Sequence, residues 1–351
     1  MGKNFALTVF TIALAGLCCL VELITVRAAA PTLLASHAIS LTAGVAMLAL
    51  AMAMGQDRLA QAGLIMALCV AGLCLCCYIE DPDCGFNRKL VVFGRQLLEP
   101  AFFIPPSLVM LFAWTRRNHR GTTFFASAAI AAFVLAVFMP SLSEATLVLV
   151  LGAALYGLAV RVKRHRTIQC LAAAVIAMSP FVLREIYRSW LRPDPPVGFY
   201  VNFSLHGFSR CMVSRAEWFG SSADCLPLPH PIHLADNTIG YASYYCGNWS
   251  IALLAVALPL LSTCLAIAAL RARTATQRIL AVGGATALTM QIALGVLHLF
   301  FLVPRHSRLL PFVSANGSYT IACFMLLGIV LATLRTNSGR TEAPEHGKGN
   351  P

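Results

Sequence analysis

Residues 5–26 read FALTVFTIALAGLCCLVELITV, and residues 33–54 read LLASHAISLTAGVAMLALAMAM. A helix needs about 20 apolar residues to cross the hydrocarbon core of a bilayer, with a working range of about 17 to 25. Each stretch meets that length with one ionisable residue inside it, Glu22 in the first and His37 in the second. A third run, Leu59 to Ile79, follows after the polar break Gly55-Gln56-Asp57-Arg58. The first run is expected to be a retained helix and not a cleaved signal, because it is too long for a signal core, contains Glu22 and is followed by Pro31.

The same pattern continues along the chain. Further runs lie at Leu97–Trp114, Thr122–Met139, Ala145–Val160, Ile168–Leu183, Trp249–Leu270, Ile279–Val303 and Val313–Leu334. Of the 351 residues, 58% are hydrophobic and 11% charged, and the mean hydropathy is +0.75. Those values lie outside the range of soluble domains. The expected fold is therefore all-α: a polytopic transmembrane helical bundle of about ten spans. Its parts are spans 1–7 in residues 1–183, a Pro- and Cys-containing exoplasmic cap loop in 184–248, spans 8–10 in 249–335, and a disordered tail in 336–351. Six prolines between Pro193 and Pro231 bar a long helix from the cap.

Basic residues in short loops set the orientation of such a protein. With the N-terminus cytoplasmic, cytoplasmic segments hold 15 Lys and Arg, short exoplasmic loops 6 and the cap 5. Both termini are therefore expected in the cytoplasm and the chain in the plasma (inner) membrane. The net charge of +12 is spread over these loop clusters and not along one stripe, which argues against a nucleic-acid partner. Four of the 13 cysteines lie outside the spans, namely Cys84, Cys211, Cys225 and Cys246, and all four fall on the exoplasmic side. They are candidates for disulfides there, the simplest being Cys211 with Cys225.

Ionisable residues gather at the exoplasmic ends of the spans. Glu22, His37 and His298 interrupt apolar runs, and a buried acid or imidazole must find a partner or lose its charge. They are expected to face the bundle interior and to approach one another or Arg95, Arg184 or Arg305. Arg95 and Glu99 stand at helical i, i+4 spacing at the start of the fourth run, where Pro105-Pro106 predicts a break. Together with Arg184 and Glu185 they form a candidate binding set; the alternative for arginines at helix ends is interfacial anchoring.

Two further chemistries deserve weighing. His230, His233 and Asp236 carry donor types that zinc accepts, but they sit in a Pro-rich loop without the helical spacing of the zinc-protease motif. Cys246-Gly247-Asn248-Trp249-Ser250 opens the eighth span, and Arg305 and His306 close the ninth on the same face. A cysteine nucleophile, an imidazole base and an anion-stabilising guanidinium need to meet at one depth. The order resembles that of the exosortase transpeptidases over the last third of the chain, which would imply a cysteine enzyme. The sequence departs from their pattern in having no Asn-x-x-Arg at the end of the ninth span and in placing His306 directly after Arg305. A disulfide at Cys246 is the competing use of that thiol.

The asymmetry of polar residues points to an exoplasmic vestibule that binds or processes an envelope-associated substrate, lipid-linked or anionic, with the bilayer as the other partner. A small-solute or lipid transporter and a non-catalytic assembly factor are the alternatives. A transporter would want a polar path reaching the cytoplasmic face; an assembly factor would want a cap that docks a partner.

Overall fold

A computed structural model describes residues 2–80, 89–92, 95–118, 122–138, 142–160, 216–220, 238–299 and 309–335. In these residues the chain forms α1 (Gly2–Ala29), a 3-10 turn (Pro31–Leu33), α2 (Leu34–Glu80), a hairpin of β1 (Leu90–Val92) and β2 (Arg95–Leu98), and a second 3-10 turn (Pro100–Phe103). Then follow α3 (Ile104–Arg117), α4 (Thr122–Phe138), α5 (Leu142–Val160), α6 (Thr238–Cys246), α7 (Asn248–Leu270), α8 (Ala275–Leu299) and α9 (Gly317–Arg335). The protein is a polytopic transmembrane helical bundle. α1, α2, α7, α8 and α9 are long and apolar enough to cross a membrane.

α2 is two spans. As one straight rod its 47 residues would measure about 70 Å, at about 1.5 Å per residue. At Gly55 the backbone leaves the helix with φ 69° and ψ 172°, a conformation that costs a residue with a Cβ. The contacts on either side show the chain folding back there. Ser40 lies against Gly317 at the start of α9, Leu48 and Ala51 lie against Gly328, and the Arg335 guanidinium donates to the Met52 carbonyl (3.4 Å) at its end. The first half of α2 thus runs parallel to α9. In the second half Gly63 meets the Met110 backbone, and Arg117 at the end of α3 donates to the Asp57 carbonyl (2.8 Å) and carboxylate (3.1 Å). That half therefore runs antiparallel to α3.

α9 is the pillar of the bundle. Every residue from Ser318 to Leu334 except Ile321 is buried, as expected of a helix that is apolar on all sides. It packs most extensively on α2 and then on α8. Its start is set by the Asn316 side chain, which accepts from the Tyr319 N–H (3.2 Å), so the helix begins four residues later than the hydropathy of Val313–Leu334 suggests. Before it, Phe312 takes a left-handed conformation (φ 64°) with its ring fully buried against Phe324 (5.1 Å between centroids).

The expected fourth helix from Leu97 needs correction. Residues 90–92 and 95–98 pair as antiparallel strands with Val92 opposite Arg95 and Val91 opposite Gln96. The α-helix starts only at Ile104, with Pro105-Pro106 in its first turn, where proline lacks no needed donor. Arg95 and Glu99 are therefore not one helical turn apart.

The bundle has two chemically distinct ends. At one, Asn4 donates to the Leu334 carbonyl (3.3 Å), and Arg271 donates to the Lys3 carbonyl (3.2 Å) and the Asn4 side chain (2.9 Å). Arg117 and Arg335 lie at this basic end through the contacts already given. The other end collects Glu22, His37, Glu99 and Glu144.

Candidate functional site at the acidic end

Glu22 sits seven residues before the end of α1, and His37 sits in the first turn of α2. The reversal at Ala30–Leu33 brings them together. The His37 Nε2 lies 2.6 Å from Glu22 Oε1, with the two side chains 5% and 0% exposed. The second carboxylate oxygen, Glu22 Oε2, is buried with no hydrogen-bond partner among the described residues. The two side chains form a buried hydrogen-bonded pair, and a charge on either one alone would be costly at this distance from water.

Glu99 follows β2 and is buried. Its Oε1 accepts from Lys89 Nζ (3.2 Å) and Asn316 Nδ2 (3.3 Å), and its backbone N–H donates to Ser318 Oγ (3.0 Å). The hairpin is thus fastened to the entrance of α9, and the cation beside Glu99 is Lys89. Glu144, in the first turn of α5, is 2% exposed, and its Oε2 is likewise buried without a partner among the described residues. Glu144 lies within electrostatic reach of Glu99. Cys323 of α9 lies within reach of both Glu22 and Glu144, while its thiol donates to Gln291 Oε1 of α8 (3.8 Å). The carboxylates of α1, α5 and the hairpin therefore surround the outer half of α9 as one polar layer. Leaving a buried acceptor unsatisfied costs about 1–3 kcal/mol. Two such oxygens in one layer are groups equipped to accept a proton or a donor from a ligand.

Cys246 closes α6 as a free thiol, so the expected disulfide at this residue is not formed. Its sulfur is 3.7 Å from Thr25 Oγ1 on α1. Burial pushes the Cys246 thiol up from its ordinary range, and the Thr25 hydrogen bond opposes the rise. That is the reverse of what activates a nucleophile. Cys84, Cys211 and Cys225 lie outside the described residues, as do Arg184, Glu185, Arg305, His306, His230, His233 and Asp236. For His298 and Arg95 the backbone is described, in α8 and β2, and the side chain is not. Among the described residues no three His, Cys, Asp or Glu side chains converge as a metal site.

The sequence reading brought Glu22 and His37 to one depth. It overlooked Lys89, Asn316 and Ser318 as partners of Glu99. Asn316-Gly317-Ser318 had a readable signal, an N-cap residue ahead of an apolar run; Lys89 had none, because its approach depends on the hairpin.

A bundle of this design is matched among solved structures. A chain of a peptidoglycan synthase complex, from work on the structural coordination of polymerization and crosslinking, superposes with a TM-score of 0.74 at 18% identity, over 97% of this chain and 100% of that one. The rod shape determining protein RodA of Thermus thermophilus gives 0.67 at 18% identity, over 97% and 99%. Its D255A mutant gives 0.65 at 16% identity, over 97% and 100%. The three likenesses cover essentially the whole chain and establish a shared fold. No protein-family profile and no curated protein sequence matches.

Proposed function

We propose that this protein acts on a lipid-linked substrate of the cell envelope at its acidic end, in the assembly of the wall polymer. The carrying observation is the pair of buried carboxylate oxygens without partners among the described residues, Glu22 Oε2 and Glu144 Oε2, in one layer around α9. The whole-length likeness to RodA and to a chain of a peptidoglycan synthase complex supports the same reading. In this proposal residues 184–248 cap that end and the basic end faces the cytoplasm. Glycosyl transfer from a lipid carrier needs an acceptor hydroxyl to lose a proton, and a carboxylate sheltered from water is suited to take it. The Glu22–His37 pair fixes the α1–α2 turn that forms one wall of the layer.

The test is reconstitution in vesicles with a fluorescent lipid-linked disaccharide peptide, following glycan chains on gels. Polymer formation is expected, with a fall of roughly 10²–10⁴-fold on replacing the acid that acts as base, among Glu22→Gln, Glu99→Gln and Glu144→Gln. Polymer made at the full rate by all three variants would remove the acidic end from the chemistry. Failure to bind or convert the lipid-linked substrate would refute the reading as a whole. The cysteine-transpeptidase alternative requires a reactive thiol, and the raised Cys246 does not favour it.

A further inference from the structure

A short turn, Ala216–Gly220, is the one described piece of the chain between α5 and α6, and it is docked onto the junction between α6 and α7. The Gly220 N–H donates to the Cys246 carbonyl (3.1 Å), the Asn248 N–H to the Glu217 carbonyl (2.9 Å), and the Trp249 N–H to the Trp218 carbonyl (3.4 Å). The Asn248 side chain donates to the Ala216 carbonyl (2.7 Å). The closeness of the two backbones depends on Gly247: at φ 101° it presents its bare Cα to the turn, and a Cβ there would meet the Trp218 carbonyl, the Gly220 N at 2.5 Å and the Phe219 Cα at 2.8 Å. This clamp leaves two large aromatic side chains outside, Trp218 58% and Phe219 76% exposed, edge to face with centroids 6.5 Å apart.

We infer that Trp218 and Phe219 form a membrane-seating wedge that inserts into the headgroup region of the leaflet at the acidic end. Depth is the first argument. α7 has 23 residues, about 34 Å at about 1.5 Å per residue, against a hydrocarbon core of about 30 Å. Its far end is marked by Arg271, so its first residues lie at the opposite boundary of the core. The turn is hydrogen-bonded to those first residues and shares their depth. Chemistry is the second. An indole and a phenyl held outward at that level match the aromatic belt of membrane proteins, where an apolar ring and a polar N–H each find their medium. Continuity is the third: α7 below the turn exposes Val256 and Leu260, a surface suited to acyl chains. The inference is independent of the proposed reaction. The wedge pins the α6–α7 junction, and with it Cys246 and Thr25, to a set height in the bilayer.

The test uses the full-length protein in vesicles and takes the emission of Trp218 as the difference between the protein and its Trp218→Phe variant; a Trp218→Leu variant must give the same difference. The result expected is loss of most of that emission when the lipids carry bromine near the headgroup, a smaller loss when the bromine is deep in the chains, and little loss with iodide in the water. Quenching by iodide but not by brominated lipid would overturn the wedge and put the pair in water. Quenching by neither would overturn it in favour of cover by the rest of the chain.

Discussion

Glu22 and His37 each restrain the other, so their substitutions should separate chemistry from architecture. His37→Ala leaves Glu22 buried with both oxygens unpartnered and should cost about 3–5 kcal/mol, seen as loss of folded protein in detergent by size-exclusion and thermal unfolding. Glu22→Gln keeps an oxygen near His37 and removes the charge, so near-wild-type abundance with lowered activity is expected if the acid works and unchanged activity if it only braces the turn. For Cys246 the raised thiol pKa means a smaller thiolate fraction at neutral pH. Peptide mapping after iodoacetamide should show slower alkylation than for a free cysteine at pH 7.5, with the rate still rising at pH values where free cysteine has levelled off. Thr25→Val removes the opposing hydrogen bond and should slow it further. A fast, low-pH reaction would reinstate a nucleophile there. The pairing of Glu22 with His37 was legible because both interrupt apolar runs at the same distance from one turn. The lack of a donor to Glu144 Oε2 among the described residues was not, since a helix-end glutamate in sequence looks the same whether or not an oxygen meets a donor.

Secondary structure follows apolar run length closely wherever lipid decides it, as in α1, α7 and α9. It departs where the chain leaves the apolar medium. Residues 90–98 carry enough Leu, Val and Phe to extend a helical run backward, yet 90–92 and 95–98 pair as strands, since hydropathy does not distinguish a short apolar strand from a helix turn. The fold-back in α2 was visible in Gly55-Gln56-Asp57-Arg58, and its geometry makes Gly55 a position with a definite cost. Gly55→Ala should destabilise the helical hairpin by about 1–2 kcal/mol through its left-handed φ. Gly247→Ala should do more, because strain of about 1–3 kcal/mol is joined by a collision with the Trp218–Gly220 backbone. The measurable sign is protease cleavage near residue 218 in the variant, with α7 itself unaffected. Equal protection in variant and wild type would mean that the turn is not clamped as described.

At the scale of the whole molecule the separation of a basic end from an acidic one predicts how the protein lies in the membrane. A cysteine placed at Asn118, beside Arg116 and Arg117, should react with an impermeant maleimide only in inside-out vesicles, and one at Glu80, the exposed last residue of α2, only in right-side-out vesicles, in a background where the native accessible thiols are blocked. The reverse labelling would invert the orientation inferred from the loops. Charge bias made the two ends legible in advance; how helices distant in sequence, such as α2 and α9, come to lie parallel was not, because that depends on glycines fitting particular neighbours such as Gly44 under Phe324 and Gly328 against Leu48. The hydrogen bond from Asn4 to the Leu334 carbonyl carries one more consequence. A thread whose two ends emerge from the same side of a sheet has been stitched through it an even number of times. The crossing count is thus bound by parity: ten satisfies it, nine and eleven do not, and a reporter fused at either end must give the same answer.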